Sequence, residues 1–93
     1  MIKTFNSKET EKIWHGEFSR KIPNEIQQIA RRKLRMLNNS SDLYDLKIPP
    51  SNMLEKLSGD LKGLYSIRVN IKWRIIFEWK ESNAFRVEII DYH

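Results

Sequence analysis

The chain has 93 residues, 40% of them hydrophobic, with three Trp, three Tyr, four Phe and no Cys. That suits one domain with a modest core and excludes a disulfide framework or a thiolate metal site. A formal net charge of +5 favours an anionic partner such as nucleic acid or an acidic protein segment.

Two histidines, at positions 15 and 93, are too few for a closed zinc site. No apolar run reaches the length of a bilayer span, and Met1–Lys12 is too polar for a signal peptide. The expectation is a soluble cytoplasmic protein with no membrane contact, no metal and no cofactor.

Met1–Phe5 predicts a short strand, since Ile2, Thr4 and Phe5 suit a sheet. Asn6 or Ser7 can cap a helix over Lys8–His15, with Glu9 and Glu11 in its first turn and Gly16 ending it. A longer helix is expected from about Pro23 to Asn38, where Ile26, Ile29, Ala30, Leu34 and Leu37 form an apolar stripe. Gln27, Gln28, Arg31, Arg32 and Arg35 occupy its other side. This basic run is either a solvated helix face or an RNA contact, for which Arg31 and Arg35 are the candidates.

Asn38–Asp42 is a polar break. A helical turn near Asp42–Leu46 follows, and Ile48-Pro49-Pro50-Ser51-Asn52 stiffens the next connection. Strands are then expected at Met53–Leu57, Tyr65–Val69, Trp73–Trp79 and Phe85–Asp91, with turns at Ser58–Gly63 and Lys80–Ala84. The order β-α-α-β-β-β-β gives a single α+β domain over residues 1–93. Its two N-terminal helices pack on one face of a twisted, mainly antiparallel sheet.

The stretch Tyr65–Trp79 alternates, with apolar residues at every odd position and only Ile76 breaking the polar run at the even ones. The even positions carry Ser66, Arg68, Asn70, Lys72, Arg74, Ile76 and Glu78 and are expected to look outward. Opposed residues on antiparallel strands share a face. A two-residue loop would mix the faces, whereas the three-residue loop Asn70-Ile71-Lys72 pairs Val69 with Trp73, Ile67 with Ile75 and Tyr65 with Phe77. It also sets Arg68 opposite Arg74. In the next hairpin parity pairs Trp79 with Phe85, Phe77 with Val87, Ile75 with Ile89 and Arg74 with Ile90, unless a bulge shifts the ladder. Tyr92 is then the diagonal neighbour of Arg74.

Two opposed arginines repel unless an anion or an acidic side chain lies between them. Glu78 and Glu88 share the face, so one reading is a surface ion-pair lattice. The other is a phosphate clamp, because guanidinium forks bind phosphate bidentately. Tyr92 and His93 beside such a clamp can form a proton-transfer pair.

The residues also resemble a family. The blocks Pro49–Asp60, Tyr65–Asn70, Trp73-Arg74-Ile75 and Val87–His93 look like the HigB branch of the RelE/ParE toxin superfamily. Met1–Phe5, Lys8–Lys12 and Arg32–Leu37 are similar to it as well. The resemblance implies a RelE-like fold and the toxin of a type II toxin–antitoxin pair. Such a toxin cleaves mRNA in the A site of the 70S ribosome without a metal, the RNA 2′-hydroxyl attacking the adjacent phosphate. A HigA-like antitoxin with a helix-turn-helix DNA-binding domain neutralises it, and operator DNA is contacted only through that complex.

Carried over, Arg68 and Arg74 hold the scissile phosphate. Tyr92 and His93 orient the RNA or move protons, Asp91 supports them and Glu55 is the candidate general base. Ser58 and Leu61 stand where the family commonly has basic residues, and Lys56, Lys62 and Lys72 are the cations left for RNA. The alternatives are a non-catalytic inhibitor on the same fold, as in gyrase-poisoning ParE-like members, and a module that only docks on RNA or the ribosome.

Overall fold

Ser7 starts the first helix: its hydroxyl accepts a hydrogen bond from the Thr10 N–H at 3.0 Å. Helix α1 then runs over Lys8–Trp14 and helix α2 over Asn24–Asn39, each within a residue of its sequence expectation. The computed structural model describes residues 1–91; Tyr92 and His93 lie outside the described residues.

Asp42 caps a short 3-10 turn over Leu43–Lys47, and a second covers Pro50–Asn52. Four strands follow: β1 Glu55–Lys56, β2 Tyr65–Arg68, β3 Trp73–Lys80 and β4 Asn83–Asp91. They form one sheet in the order β1-β2-β3-β4, every neighbouring pair antiparallel.

Two of the expected strands are reduced. Met1–Phe5 makes only isolated parallel bridges, Ile2 to Ala84 and Phe5 to Val87, along the outer edge of β4. The ladder is broken between them because the Arg86 N–H donates to the Thr4 hydroxyl rather than to a carbonyl. The strand expected at Met53–Leu57 shrinks to two residues, since Met53 takes a left-handed conformation (φ 46°) that extended structure cannot continue.

The β2–β3 hairpin has the register that parity demands, including Tyr65 opposite Phe77, Ile67 opposite Ile75 and Arg68 opposite Arg74. The Asn70 side chain closes its loop by accepting the N–H groups of Lys72 and Trp73, both at 2.8 Å. In the β3–β4 hairpin, Ile75–Ile89 and Arg74–Ile90 pair as expected. Trp79 instead faces Ala84 rather than Phe85, and the expected Phe77–Val87 pair falls in an irregularity of the ladder. The turn is the tight two-residue loop Glu81-Ser82, with φ of 51° and 62°. It shifts the register by one residue, and a bulge at Arg86, φ 52°, absorbs the extra residue.

The two helices cover the odd face. Ile13, Ile26, Ala30, Leu34 and Leu37 pack against Ile67, Val69, Ile75, Phe77, Val87 and Ile89 in one core. The even face is not simply outward. Leu57, Leu64 and Ile76 form a second, smaller cluster with Leu61 and Ile90 against it, and Ser66 and Arg74 are buried. Ile71 goes the other way: it is 84% exposed because the loop lifts it off the sheet. Among the described residues no helix is long and apolar enough to cross a membrane.

Candidate active site

The even face is covered at one end only, so the opposite end stays open beside the β2–β3 loop. There Arg68 and Arg74 stand directly opposed. Arg74, 8% exposed, donates through Nη2 to the Met53 carbonyl at 3.0 Å and meets Glu55 Oε1 through Nη1 at 3.2 Å. Arg68 donates through Nε to the Asn70 carbonyl at 3.1 Å, and its Nη1 lies 3.4 Å from the Met53 sulfur.

Met53, Arg68, Asn70, Ile71 and Arg74 line an open cleft of about 370 Å³. Its charged floor is two guanidiniums, and its walls include the half-exposed Met53 and the exposed Ile71. Fork-shaped donors between apolar walls suit a phosphate attached to a flatter, less polar body. The left-handed turn at Met53 aims that residue's carbonyl at Arg74 while its side chain meets Arg68. Sequence reasoning had no signal for this, because Met at that position reads as strand. Asn70 and Ile71 were legible as loop residues, but their place in the cleft depends on the fold.

The ion-pair lattice expected with Glu78 and Glu88 takes another form. Glu78 pairs with Arg86 at 3.4 Å, and Glu88 accepts from the Asn6 side-chain amide at 3.2 Å. The carboxylate that meets Arg74 is Glu55, which comes from the short strand β1.

The remaining candidates divide. Lys72 is exposed on the loop beside the cleft. Asp91, opposite Trp73 at the end of β4, lines a different depression with Lys8, Lys21 and Glu88. Lys56 opposes Tyr65 and so shares the helix-side face rather than the face of Glu55. Lys62 is exposed at the end of a 3-10 turn in the segment that covers Ile76. Arg31 and Arg35 line a cleft along α2 with Glu25 and Gln28, apart from the arginine pair, and the Arg31 Nε is used in a 2.8 Å bond to the Ile13 carbonyl. Tyr92 and His93 lie outside the described residues. Among the described residues no three His, Asp or Glu side chains gather into a metal-holding group.

Behind the cleft lies a buried polar network that the helical pattern does not disclose. Asn52, fully buried, donates to the Leu46 carbonyl at 3.0 Å and the Ile48 carbonyl at 3.4 Å and accepts from the Lys33 ammonium. Burial, aided by the neighbouring Arg32 charge, pushes the Lys33 ammonium below its usual pKa. The network ties α2 to the segment that ends in Met53. Elsewhere in the molecule the Ser19 hydroxyl donates to Glu9 at 2.6 Å. That bond, reinforced by Lys12 and Lys21, holds the Glu9 carboxyl below its usual pKa.

A family profile described as the RelE-like toxin HigB of type II toxin–antitoxin systems matches residues 3–93. The chain belongs to this HigB-like toxin family. It is 46% identical over 65 residues to Toxin HigB-1 of Vibrio cholerae, covering 70% of this chain and 68% of that protein. It is 26% identical to the Endoribonuclease HigB of Proteus vulgaris over the full length of both. Among solved structures, a chain of the YoeB-YefM complex from Staphylococcus aureus superposes with a TM-score of 0.57 at 16% identity, covering 100% of this chain and 98% of that one. That likeness shows the fold, and two helices on an antiparallel sheet make it RelE-like.

Proposed function

We propose that this HigB-like toxin is a ribosome-dependent endoribonuclease that cuts mRNA in the A site and arrests translation in the cytoplasm. The observation that carries the reading is the opposed Arg68–Arg74 pair at an open cleft, with the Glu55 carboxylate 3.2 Å from Arg74. The Proteus vulgaris relative's name, an endoribonuclease, supports the same reading.

In this reading the RNA 2′-hydroxyl attacks the adjacent phosphate, without a metal, to give a cyclic phosphate and a free 5′-hydroxyl. Arg68 and Arg74 carry the charge that develops on the phosphoryl oxygens. Glu55 takes the 2′-hydroxyl proton, Tyr92 and His93 orient the RNA or return a proton to the leaving oxygen, and Asp91 supports them. Lys72, Lys56, Lys62 and the α2 cations Arg31 and Arg35 contribute longer-range attraction to RNA.

The partner that silences the toxin is a HigA-like antitoxin with a helix-turn-helix domain, through which alone operator DNA is reached. The Staphylococcus aureus structure of the same fold is a two-protein complex, which supports a protein partner of this kind.

The test is induction of the chain beside Arg74→Ala and His93→Ala variants, with mapping of cellular mRNA 5′ ends. New ends in the wild type that vanish in both variants are expected. Growth arrest with no new ends, or with ends unchanged in the variants, rejects the nuclease in favour of a non-catalytic inhibitor.

A further inference from the structure

A second cleft, of about 400 Å³, opens between α2 and the β2–β3 loop and shares Arg68 and Asn70 with the first. Arg32, Lys33 and Ser51 line it together with two apolar residues, and no carboxylate does. Arg68 is therefore a common wall of two basic clefts.

Lys33 is what makes the second cleft more than a charged surface. It is only 7% exposed, and among the described residues its ammonium has Asn52 as its hydrogen-bond partner and no carboxylate in ion-pair range. An ammonium has three protons to donate, and a buried cation without a counter-ion is costly. Arg32 and Arg68 flank the same space, so the cleft concentrates positive charge that an anion relieves.

We propose that this cleft is a second phosphate subsite, which takes an RNA phosphodiester adjacent to the one held at Arg68 and Arg74. Arg32 supplies the exposed fork, Lys33 the buried charge and Ser51 a hydroxyl, and Ile29 and Val69 give the sugar an apolar wall. Single-stranded RNA is followed by grooves of this kind, where cations track successive phosphates. The inference rests on the nuclease reading, because it extends the strand that the first cleft holds.

The experiment compares binding of two 2′-O-methyl RNAs, which lack the attacking hydroxyl and stay intact: a dinucleotide with one phosphodiester and a tetranucleotide with three. The exposed Arg32 is changed to Gln, with Arg74→Ala as the control at the first cleft. Arg32→Gln is expected to weaken the tetranucleotide about 5- to 10-fold and to lower its salt slope by about 0.7, the value for one phosphate of a single strand. It is expected to leave the dinucleotide unchanged, whereas Arg74→Ala weakens both. Lys33→Gln should repeat the Arg32 pattern if its thermal unfolding stays cooperative, and Arg32 decides the matter by itself.

Equal loss for both RNAs means long-range charge only and overturns the proposal, as does no loss for either. A wild-type chain that does not prefer the longer RNA overturns it too. Arg32-dependent binding of inorganic phosphate with no Arg32 effect on RNA makes the cleft a free-phosphate site and also overturns it. The two readings separate by readout. New mRNA 5′ ends that vanish in Arg74→Ala, together with no Arg32 effect on the longer RNA, keep the nuclease and overturn this subsite. Binding of the longer RNA that needs both Arg32 and Arg74 but is accompanied by no new 5′ ends rejects the nuclease and keeps the subsite.

Discussion

Glu55 and Arg74 form an ion pair across a strand that belongs to neither of them. Glu55 is on β1, Arg74 on β3, and the N···O distance is 3.2 Å over the intervening β2. Ser66, which pairs with Glu55 on one side and Ile76 on the other, is small enough to let the long guanidinium pass. Arg74 is almost buried and Glu55 half-exposed, so the pair fixes the arginine while leaving the carboxylate open to the face. If this pair acts as a unit, Arg74→Ala should lower single-turnover cleavage of ribosome-bound mRNA about 10²- to 10³-fold. Glu55→Gln should lower it about 10-fold or more, and the double variant should lose less than the product of the two. Multiplicative losses in a double-mutant cycle would show that the two side chains act independently.

Ser66 itself gives a cleaner test of the packing. Its hydroxyl is fully buried and finds no partner among the described residues. Deleting an unpaired buried hydroxyl removes a desolvation cost, so Ser66→Ala should leave stability unchanged or raise it by up to about 1 kcal/mol. Ser66→Leu should put a branched side chain under Arg74 and destabilise by roughly 1–3 kcal/mol. Urea unfolding of the two variants distinguishes these effects.

Asn52→Ala should be among the more damaging single changes outside the apolar core. It removes bonds to the Leu46 and Ile48 carbonyls and leaves the Lys33 ammonium buried without its acceptor. The expected loss is about 3–5 kcal/mol, read from chemical denaturation. Lys33→Met in the same background should recover part of it, because the stranded charge is then gone.

The acid limb of the stability curve should carry the mark of Glu9. Its folded carboxyl titrates below the ordinary value of 4.5 because Ser19 donates to it and Lys12 and Lys21 lie near. A depressed folded pKa means the stabilisation is complete above pH 4.5 and is lost as pH falls through the folded value. The difference in Tm between wild type and Glu9→Gln should therefore be constant above about pH 4.5 and close toward zero in stronger acid. A difference that grows in acid contradicts this assignment.

The Glu81-Ser82 turn holds two non-glycine residues at positive φ, 51° and 62°. Asn-Gly suits that geometry far better. Replacing Glu81-Ser82 by Asn-Gly should stabilise the chain by about 1 kcal/mol, measurable as a raised Tm, with the β3–β4 register unchanged.

Alternation from Tyr65 to Trp79 was enough to determine which residues of β2 and β3 face the helices, the length of their loop and the opposition of Arg68 and Arg74. The reason is geometric: side chains alternate with period two, and a buried face tolerates only one register. The apolar spacing of α2 located its buried stripe in the same way. Sequence also brought the chain to its family through motif blocks spread over most of its length. Tertiary structure decided the rest, because the deciding contacts join residues far apart in the chain. The Arg86 bulge answers a two-residue turn whose strained φ values the residue types do not advertise. Glu55 reaches Arg74 over a strand whose residue beside Glu55 is the small Ser66, and Arg32 shares a cleft with Arg68 although 36 positions separate them in the chain. Local pattern fixes which face a side chain takes, and packing fixes which partner it finds there.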